Sequence, residues 1–233
     1  FMSYWHLTAP PTIGGREGWL PKKCEVAVIG GGLTGILTAY ALRRAGVGAI
    51  VLDAHEIGYG QSGSSTGKIT LAGGLTYREL LTERGGGAAR AWAEAQSRAL
   101  EDYRRIILDE NILCDYMGLP AALYTRRHPE QLETEAVTAR ALGLRVELKR
   151  RTALPFDVAL ALVYPGQAQF HPVKFLAALA RRVDVYTGLT VTDVHGHTLL
   201  TDDGQELEAQ KIVYACHYPF RNFPGLYFMK LYQ

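Results

Sequence analysis

Residues 25–35 read EVAVIGGGLTG, and this stretch decides the fold. The run that ends at Ile29 is short and apolar on both faces, as a buried parallel strand should be. Three glycines, Gly30, Gly32 and Gly35, follow at G-x-G-x-x-G spacing and open a helical pattern. In that context the first permits a tight turn, the second lets the backbone approach a pyrophosphate, and the third lets helix and strand pack closely. The stretch therefore predicts a dinucleotide-binding turn.

The residues that follow complete a βαβ unit. Apolar positions on one face predict a helix from Leu33, which Gly46 ends, and residues 49–53 (AIVLD) predict a second buried strand. Asp53 closes that strand eighteen residues after Gly35, where its carboxylate can accept hydrogen bonds from an adenosine ribose. No arginine follows at once, which disfavours the 2′-phosphate of NADP and leaves NAD and FAD open. The alternative is a glycine-rich packing turn in which Asp53 only caps the strand.

A second glycine-rich stretch, EIGYGQSGSSTGKIT at residues 56–70, separates this unit from the next helical pattern. It offers many backbone N–H groups, small hydroxyls and one cation, Lys68, which together suit a long, negatively charged ligand. FAD would need such contacts beyond the second strand, whereas a simple NAD dehydrogenase would continue its alternation of strand and helix. A flexible linker is the alternative, although the stretch lies between two elements that are predicted to be buried.

The rest of the chain alternates between helical and strand-like patterns. Helices are predicted over residues 77–111, with an interruption at 85–87, over 129–142 and over 173–183. Strand patterns flank the second of these helices, and a meander of short strands begins at residue 184. Residues 211–216 are predicted as a buried strand that rejoins the first sheet.

These elements predict an α/β fold with two domains. The first is a Rossmann-like FAD-binding domain, with a mainly parallel sheet and helices on both faces, built from residues 24–111 and 168–218. The second is a mixed-sheet substrate domain from residues 112–167 and 219–233, and residues 1–23 form an N-terminal extension. The chain ends in an apolar run, GLYFMKLYQ, where termini are usually polar. This predicts a piece of a longer protein with an incomplete substrate domain.

Composition argues against several other classes of protein. The chain has 233 residues and a net charge of +2, and its Lys and Arg residues are scattered, which gives no basis for nucleic-acid binding. The three cysteines lie far apart without a C-x-x-C pair, which disfavours a disulfide framework or a metal site and fits a cytoplasmic compartment. No apolar run approaches the roughly 18 residues of a membrane span.

Four stretches together resemble a known family. They are VAVIGGGLTG (26–35), VLDAHEIGYGQSGSSTGKIT (51–70), QAQFHPVKFLAALA (167–180) and IVYACHYPF (212–220). The set resembles the FAD-dependent oxidoreductases of the D-amino-acid oxidase and glycine oxidase superfamily. The resemblance is strongest to a bacterial branch whose longer members end in a Rieske iron–sulfur domain, which makes such a domain an expected partner in the whole protein.

The resemblance implies where FAD is held. The pyrophosphate is expected at residues 30–35, the ribose at Asp53, the flavin end along residues 62–68 and the adenine near Val191. The full set of expected cofactor contacts is Gly30, Gly31, Gly32, Leu33, Thr34, Gly35, Asp53, Ala54, Gly60, Gln61, Ser62, Ser65, Thr66, Gly67, Lys68, Val191, Ala215 and Cys216. Relatives have an Ala-Thr-Gly-like turn where this chain has Ala-Cys-His, so the shape of that turn is expected to differ.

The resemblance also implies a reaction, the dehydrogenation of a C–N bond in an amine or amino-acid donor with hydride transfer to flavin N5. Such chemistry belongs largely to the cofactor, and the sequence assigns no catalytic residue. Lys68 either places a positive charge near the flavin or is an ordinary surface lysine. His217 either lines the site or is a hydrogen-bonded loop residue. Two alternatives stay open: an NAD-linked dehydrogenase, and a non-catalytic flavin-binding or electron-transfer module that feeds an iron–sulfur domain.

Overall fold

The glycine-rich stretch folds as a strand, a tight turn and a helix in the computed structural model, which describes residues 3–9, 15–16 and 18–217. The α-helices are α1 (Tyr4–Thr8), α2 (Leu33–Arg44), α3 (Thr76–Asp109), α4 (Pro129–Ala141) and α5 (Pro172–Ala180). The strands are β1 (Lys23–Ile29), β2 (Ala49–Asp53), β3 (Lys68–Ile69), β4 (Met117–Gly118), β5 (Ala121–Thr125), β6 (Glu147–Lys149), β7 (Leu160–Tyr164), β8 (Ala168–Gln169), β9 (Asp184–Thr187), β10 (Val191–His195), β11 (Thr198–Thr201) and β12 (Glu206–Tyr214). A 3-10 helix covers Gln61–Ser64.

The main sheet has six strands in the order β10-β11-β12-β1-β2-β9. Strands β12, β1, β2 and β9 run parallel, and β10, β11 and β12 form an antiparallel meander at one side. Helix α2 packs on β1 and β2, and α5 packs on α2. Because β1 lies between β12 and β2, the carboxyl ends of these three strands meet at one edge of the sheet.

Three details of the predicted sheet need correction. The sheet is mixed rather than mainly parallel, because β10 and β11 turn back as a hairpin instead of crossing over through helices. Helices were expected on both faces of the sheet. Within the described residues, however, the buried cluster around Ala27 and Ile29 contains no helix residue, and Leu20 and the hairpin side chains Val194 and Leu199 contribute to it instead. Residues 211–216 were expected to be buried, but the end of β12 is only partly buried. Strand β11 pairs with Glu206–Glu208 alone, so the described residues of β12 beyond Glu208 pair only with β1.

Two compact units make up the chain. The first comprises residues 1–66 and 171–233, as far as they are described, and the second comprises residues 67–170. The sequence instead placed residues 67–111 with the nucleotide-binding domain; α3 belongs to the second unit because it packs on α4. The proposed division of roles between a cofactor domain and a substrate domain stays a prediction. Residues 219–233, assigned to the substrate domain, lie outside the described part.

The second unit contains two small antiparallel sheets, in the orders β3-β8-β4 and β5-β7-β6. A mixed sheet was expected, but every strand pair described in this unit is antiparallel, since β7 inserts between β5 and β6 and runs against both. Helix α3 bends at Gly85, as its glycines predicted. Within the described part of the chain, no helix combines the length and apolarity needed to cross a membrane.

Candidate nucleotide-binding cleft

A cleft of about 540 Å³ opens in the first unit, where β1, β2 and β12 end and α2 begins. The carboxyl edge of a parallel sheet is where α/β folds commonly bind ligands, and this volume lies within the usual range for ligand pockets. Strand-end residues Ile29, Leu52 and Tyr214 form its floor, and the Gly/Ser stretch and the β9–β10 connection contribute the remaining wall.

The beginning of α2 is the part of the cleft that is suited to an anion. The N-cap residue, Gly32, has no side chain to satisfy the first N–H groups of the helix, and no acidic residue lies in the first turn. Among the described residues that line the cleft, none is a lysine or an arginine. A bound phosphate would therefore be held mainly by backbone N–H groups and by the positive end of the helix dipole.

The glycine turn lets three backbone segments pack closely beneath the cleft. Gly30 has a φ of 114°, and a Cβ atom there would lie 2.6 Å from the carbonyl oxygen of Ala215. A Cβ atom on Gly35 would lie 1.8 Å from the carbonyl oxygen of Gly30. These two approaches keep β1, α2 and the turn after β12 close together, so the cleft floor depends on glycine at both positions.

Asp53 ties the turn to the end of β2. Its Oδ2 accepts a hydrogen bond from the Gly31 N–H, and its Oδ1 accepts one from the His55 N–H at 2.8 Å. A carboxylate has about four lone-pair sites, so these two bonds leave acceptor capacity for ribose hydroxyls. Asp53 can thus shape the turn and contact a nucleotide at the same time. The alternative interpretation, in which Asp53 only caps the strand, does not account for its bond to the turn.

Ser62 joins the Gly/Ser stretch to α2. Its Oγ accepts a hydrogen bond of 2.9 Å from the Leu33 N–H, one of the first-turn groups that a helix leaves without an internal partner. The 3-10 helix that carries Ser62 also places Gly60 and Gln61 at the cleft. This part of the stretch is therefore a wall of the cleft rather than a linker.

Most of the residues expected to contact FAD line this cleft. They are Gly30, Gly32, Leu33, Thr34, Asp53, Ala54, Gly60, Gln61, Ser62, Val191, Ala215 and Cys216. Gly31 and Gly35 shape the turn beneath it, and the Ser65 carbonyl accepts a hydrogen bond from Trp5. Thr66 is the last residue of the first segment of the first unit, and Gly67 and Lys68 belong to the second unit. That these residues contact FAD stays a prediction.

Several lining residues were missed by the sequence interpretation. Ile29, Leu52 and Tyr214 could have been found, because each is among the last three residues of a predicted strand. His55 and Thr190 gave no comparable signal: both lie in connections whose course depends on contacts distant in sequence. His217 also lines the cleft, with a φ of 63°, and its role there stays a prediction.

Comparison with protein families gives one match that covers most of the chain. The model of the family described as DAO, FAD dependent oxidoreductase, matches residues 25–227. The chain is also 29% identical over 221 residues to the putative Rieske 2Fe-2S iron-sulfur protein YhfW of Bacillus subtilis strain 168, a match that covers 91% of this chain and 43% of that protein.

Two other proteins extend the comparison. Gamma-glutamylputrescine oxidoreductase of Escherichia coli strain K12 is 32% identical over 111 residues, which cover 48% of this chain and 26% of that protein. The structure of glycine oxidase from Geobacillus kaustophilus superposes with a TM-score of 0.65 at 20% identity, over 84% of this chain and 56% of that one. The second likeness shows the fold alone. The matches cover 43%, 26% and 56% of these three proteins, so the chain spans only part of each.

Proposed function

The chain belongs to the family of FAD-dependent oxidoreductases, and from this premise we propose that its first unit binds FAD in the cleft and that the whole protein dehydrogenates a C–N bond. Membership confirms the resemblance that the four sequence stretches indicated, and it makes FAD the cofactor. The NAD-linked alternative is wrong. The regular alternation that it predicted is also missing, since the strand beside β2 is β9, which follows the whole second unit.

One observation carries the proposal: a single cleft brings together the start of α2, the Asp53 carboxylate and the Gly/Ser wall. These are the three features that a long dinucleotide needs, namely a site for its phosphates, an acceptor for its ribose and a surface beyond the second strand. The names of relatives support an amine or amino-acid donor, since one is an oxidoreductase of gamma-glutamylputrescine and another an oxidase of glycine.

FAD bound in the cleft would supply a flavin ring that can take a hydride from the donor. The residues of this chain supply binding and orientation. The first turn of α2 binds phosphate through its N–H groups, and Asp53 fixes the turn through Gly31 while offering its remaining lone pairs to the ribose. Ser62 fixes the Gly/Ser wall against Leu33. No side chain of the described residues is assigned to proton transfer.

The proposal predicts a yellow protein that its substrate bleaches. We expect the whole protein, purified or incubated with FAD, to show the visible absorbance of oxidised flavin. This absorbance should disappear when an amine or amino-acid donor is added without oxygen. Glycine, D-amino acids and simple primary and secondary amines are the donors to compare. A protein that stays colourless in excess FAD would contradict the cofactor assignment, and one that is yellow but bleached by no donor would contradict the reaction.

A second candidate function is favoured by the relative from Bacillus subtilis, which is named as a putative Rieske iron–sulfur protein. The match covers most of this chain. In that case the whole protein would pass electrons from the flavin to an iron–sulfur domain. Iron and acid-labile sulfide in the whole protein, together with a flavin that only a reduced electron donor bleaches, would favour this candidate over amine dehydrogenation.

Asp53 offers a direct test of the cleft. We expect Asp53→Asn to raise the dissociation constant for FAD about tenfold, because one acceptor oxygen becomes an NH₂ donor that faces a backbone N–H. Titration of the flavin-free protein with FAD, followed by flavin fluorescence, measures this change. The matched control is Asp184→Asn in the same unit, which removes an exposed ion pair with Arg16 and should leave FAD binding unchanged. Equal affinities in the two variants would remove Asp53 from the site.

A further inference from the structure

Helix α1 is too short to be stable by itself, because it has only five residues. It is held against the Gly/Ser stretch by its own side chains. Trp5 Nε1–H donates a hydrogen bond of 2.7 Å to the carbonyl oxygen of Ser65, and the Ser3 hydroxyl donates one to the carbonyl oxygen of Gly63. The His6 ring lies beside them, with Nε2 at 3.2 Å from the carbonyl oxygen of Gly58. Three backbone carbonyls of one loop thus face one helix.

The loop is shaped to receive this helix. A Cβ atom on Gly63 would lie 2.3 Å from Cε1 of His6 and 2.2 Å from the carbonyl oxygen of Gly58. Any side chain at this buried position would push the helix away and disturb the loop at the same time. The loop therefore needs glycine at position 63 for its own fold, and α1 packs against this same residue.

Helix α1 is also anchored to α5. His171, the N-cap residue of α5, is 1% exposed, and its Nδ1 accepts a hydrogen bond of 3.2 Å from the Lys174 N–H. Its Nε2 must then carry the proton, and it donates to the Thr8 hydroxyl at 3.0 Å. The Trp5 ring also packs edge-on against the His171 ring, with centroids 4.9 Å apart. The loop is thereby connected through α1 to a buried helix of the same unit.

The loop that α1 holds is the wall of the cleft. Gly60, Gln61 and Ser62 line the cleft, between the Gly58 carbonyl on one side and the Gly63 carbonyl on the other. We propose that α1 holds residues 58–65 in the conformation required for FAD binding, with Trp5 and Ser3 as positioning residues. This inference rests on the proposed FAD site, and it gives the predicted N-terminal extension a role in cofactor retention.

The test compares loop opening with cofactor affinity in the whole protein. Trp5→Phe removes the donor to Ser65 but keeps an aromatic ring against His171. We expect amides of residues 60–65 in the flavin-free variant to exchange hydrogen about fivefold faster, and FAD to bind about fivefold more weakly. Amides of β1 and β2 should exchange at the wild-type rate, whereas a general loss of stability would accelerate them too.

The matched control is Trp19→Phe, since Trp19 lies in the same unit and is 86% exposed. Ser3→Ala, which removes the other donor, should repeat the effect of Trp5→Phe. Wild-type values for both loop exchange and FAD affinity in Trp5→Phe would overturn the proposal, as would faster loop exchange with unchanged affinity. Failure of the wild-type protein itself to bind FAD would instead overturn the proposed function, so the two failures are distinguishable.

Discussion

Replacing Gly35 with alanine should reduce the affinity for FAD about 100-fold. The new Cβ atom would lie 1.8 Å from the Gly30 carbonyl oxygen and 3.3 Å from a methyl group of Val28. Both neighbours belong to the strand and turn beneath the cleft, so α2 would have to move away from β1. Overpacking of this kind costs about 3 kcal/mol, and a displaced α2 carries its N–H groups away from the phosphates. Flavin content after purification and FAD titration of the flavin-free protein measure the loss.

Gly48→Ala is the control for this change. Gly48 precedes β2 in the same unit, and a Cβ atom there would meet only the Glu25 side chain, at the ordinary distance of 3.6 Å. We expect this variant to bind FAD as the wild-type protein does. Thermal unfolding of both flavin-free variants shows whether Gly35→Ala still folds. A folded Gly35→Ala variant that keeps wild-type affinity would contradict the assignment of this turn to the cofactor.

The sequence predicted the first βαβ unit almost to the residue because its signals are local. Buried strands, a helical face, a glycine after the helix and an acid at a strand end are set by neighbours within a few positions. Strand β2 has the predicted bounds, and Gly46 follows α2 with a φ of 79°. The break in α3 at Gly85 was likewise predicted, from the glycines at residues 85–87 within a helical pattern.

Features that depend on distant contacts could not be predicted in this way. Whether β12 would be buried depends on how far β11 pairs with it, and the pattern of residues 206–214 does not specify that. The assignment of α3 to the second unit depends on contacts with α4, which begins twenty residues after α3 ends. The role inferred for α1 required seeing Trp5 beside Ser65, a pair separated by 60 positions. Long-range contacts have no periodic signature in a single sequence.

Another contact between residues distant in sequence is made by Glu135. This residue of α4 is fully buried, and its two carboxylate oxygens accept hydrogen bonds from the N–H groups of Tyr77 and Arg78 at 3.0 and 2.9 Å. These groups lie in the first turn of α3, whose N-cap residue, Leu75, has no acceptor in its side chain. Glu135 therefore caps α3 from another helix, with its charge at the positive end of the dipole.

Replacing Glu135 with alanine should lower the free energy of unfolding of the second unit by about 3 kcal/mol, because two N–H groups lose their acceptor. Glu133→Ala on the exposed face of α4 is the control. Trp92 lies in α3, so its fluorescence reports this unit once all other tryptophans, Trp5 and Trp19 among them, are replaced by phenylalanine. Guanidinium unfolding of the flavin-free proteins then gives the two free energies.

The same experiment at several pH values tests the state of the carboxyl group. Burial raises the pKa of Glu135 above its ordinary value of 4.5, although the bonds from Arg78 and Tyr77 lower it. The pKa of Glu135 is therefore higher in the folded state than in the unfolded state. Its contribution to the free energy of unfolding is complete below the unfolded-state pKa and falls as pH rises through the folded-state pKa. The difference between wild type and Glu135→Ala should therefore be largest in acid and shrink as pH increases. If the loss of unfolding free energy in Glu135→Ala grew with pH, the bonds from α3 would outweigh burial in setting the pKa. If that loss were no larger than the loss in Glu133→Ala, α3 would not depend on this cap.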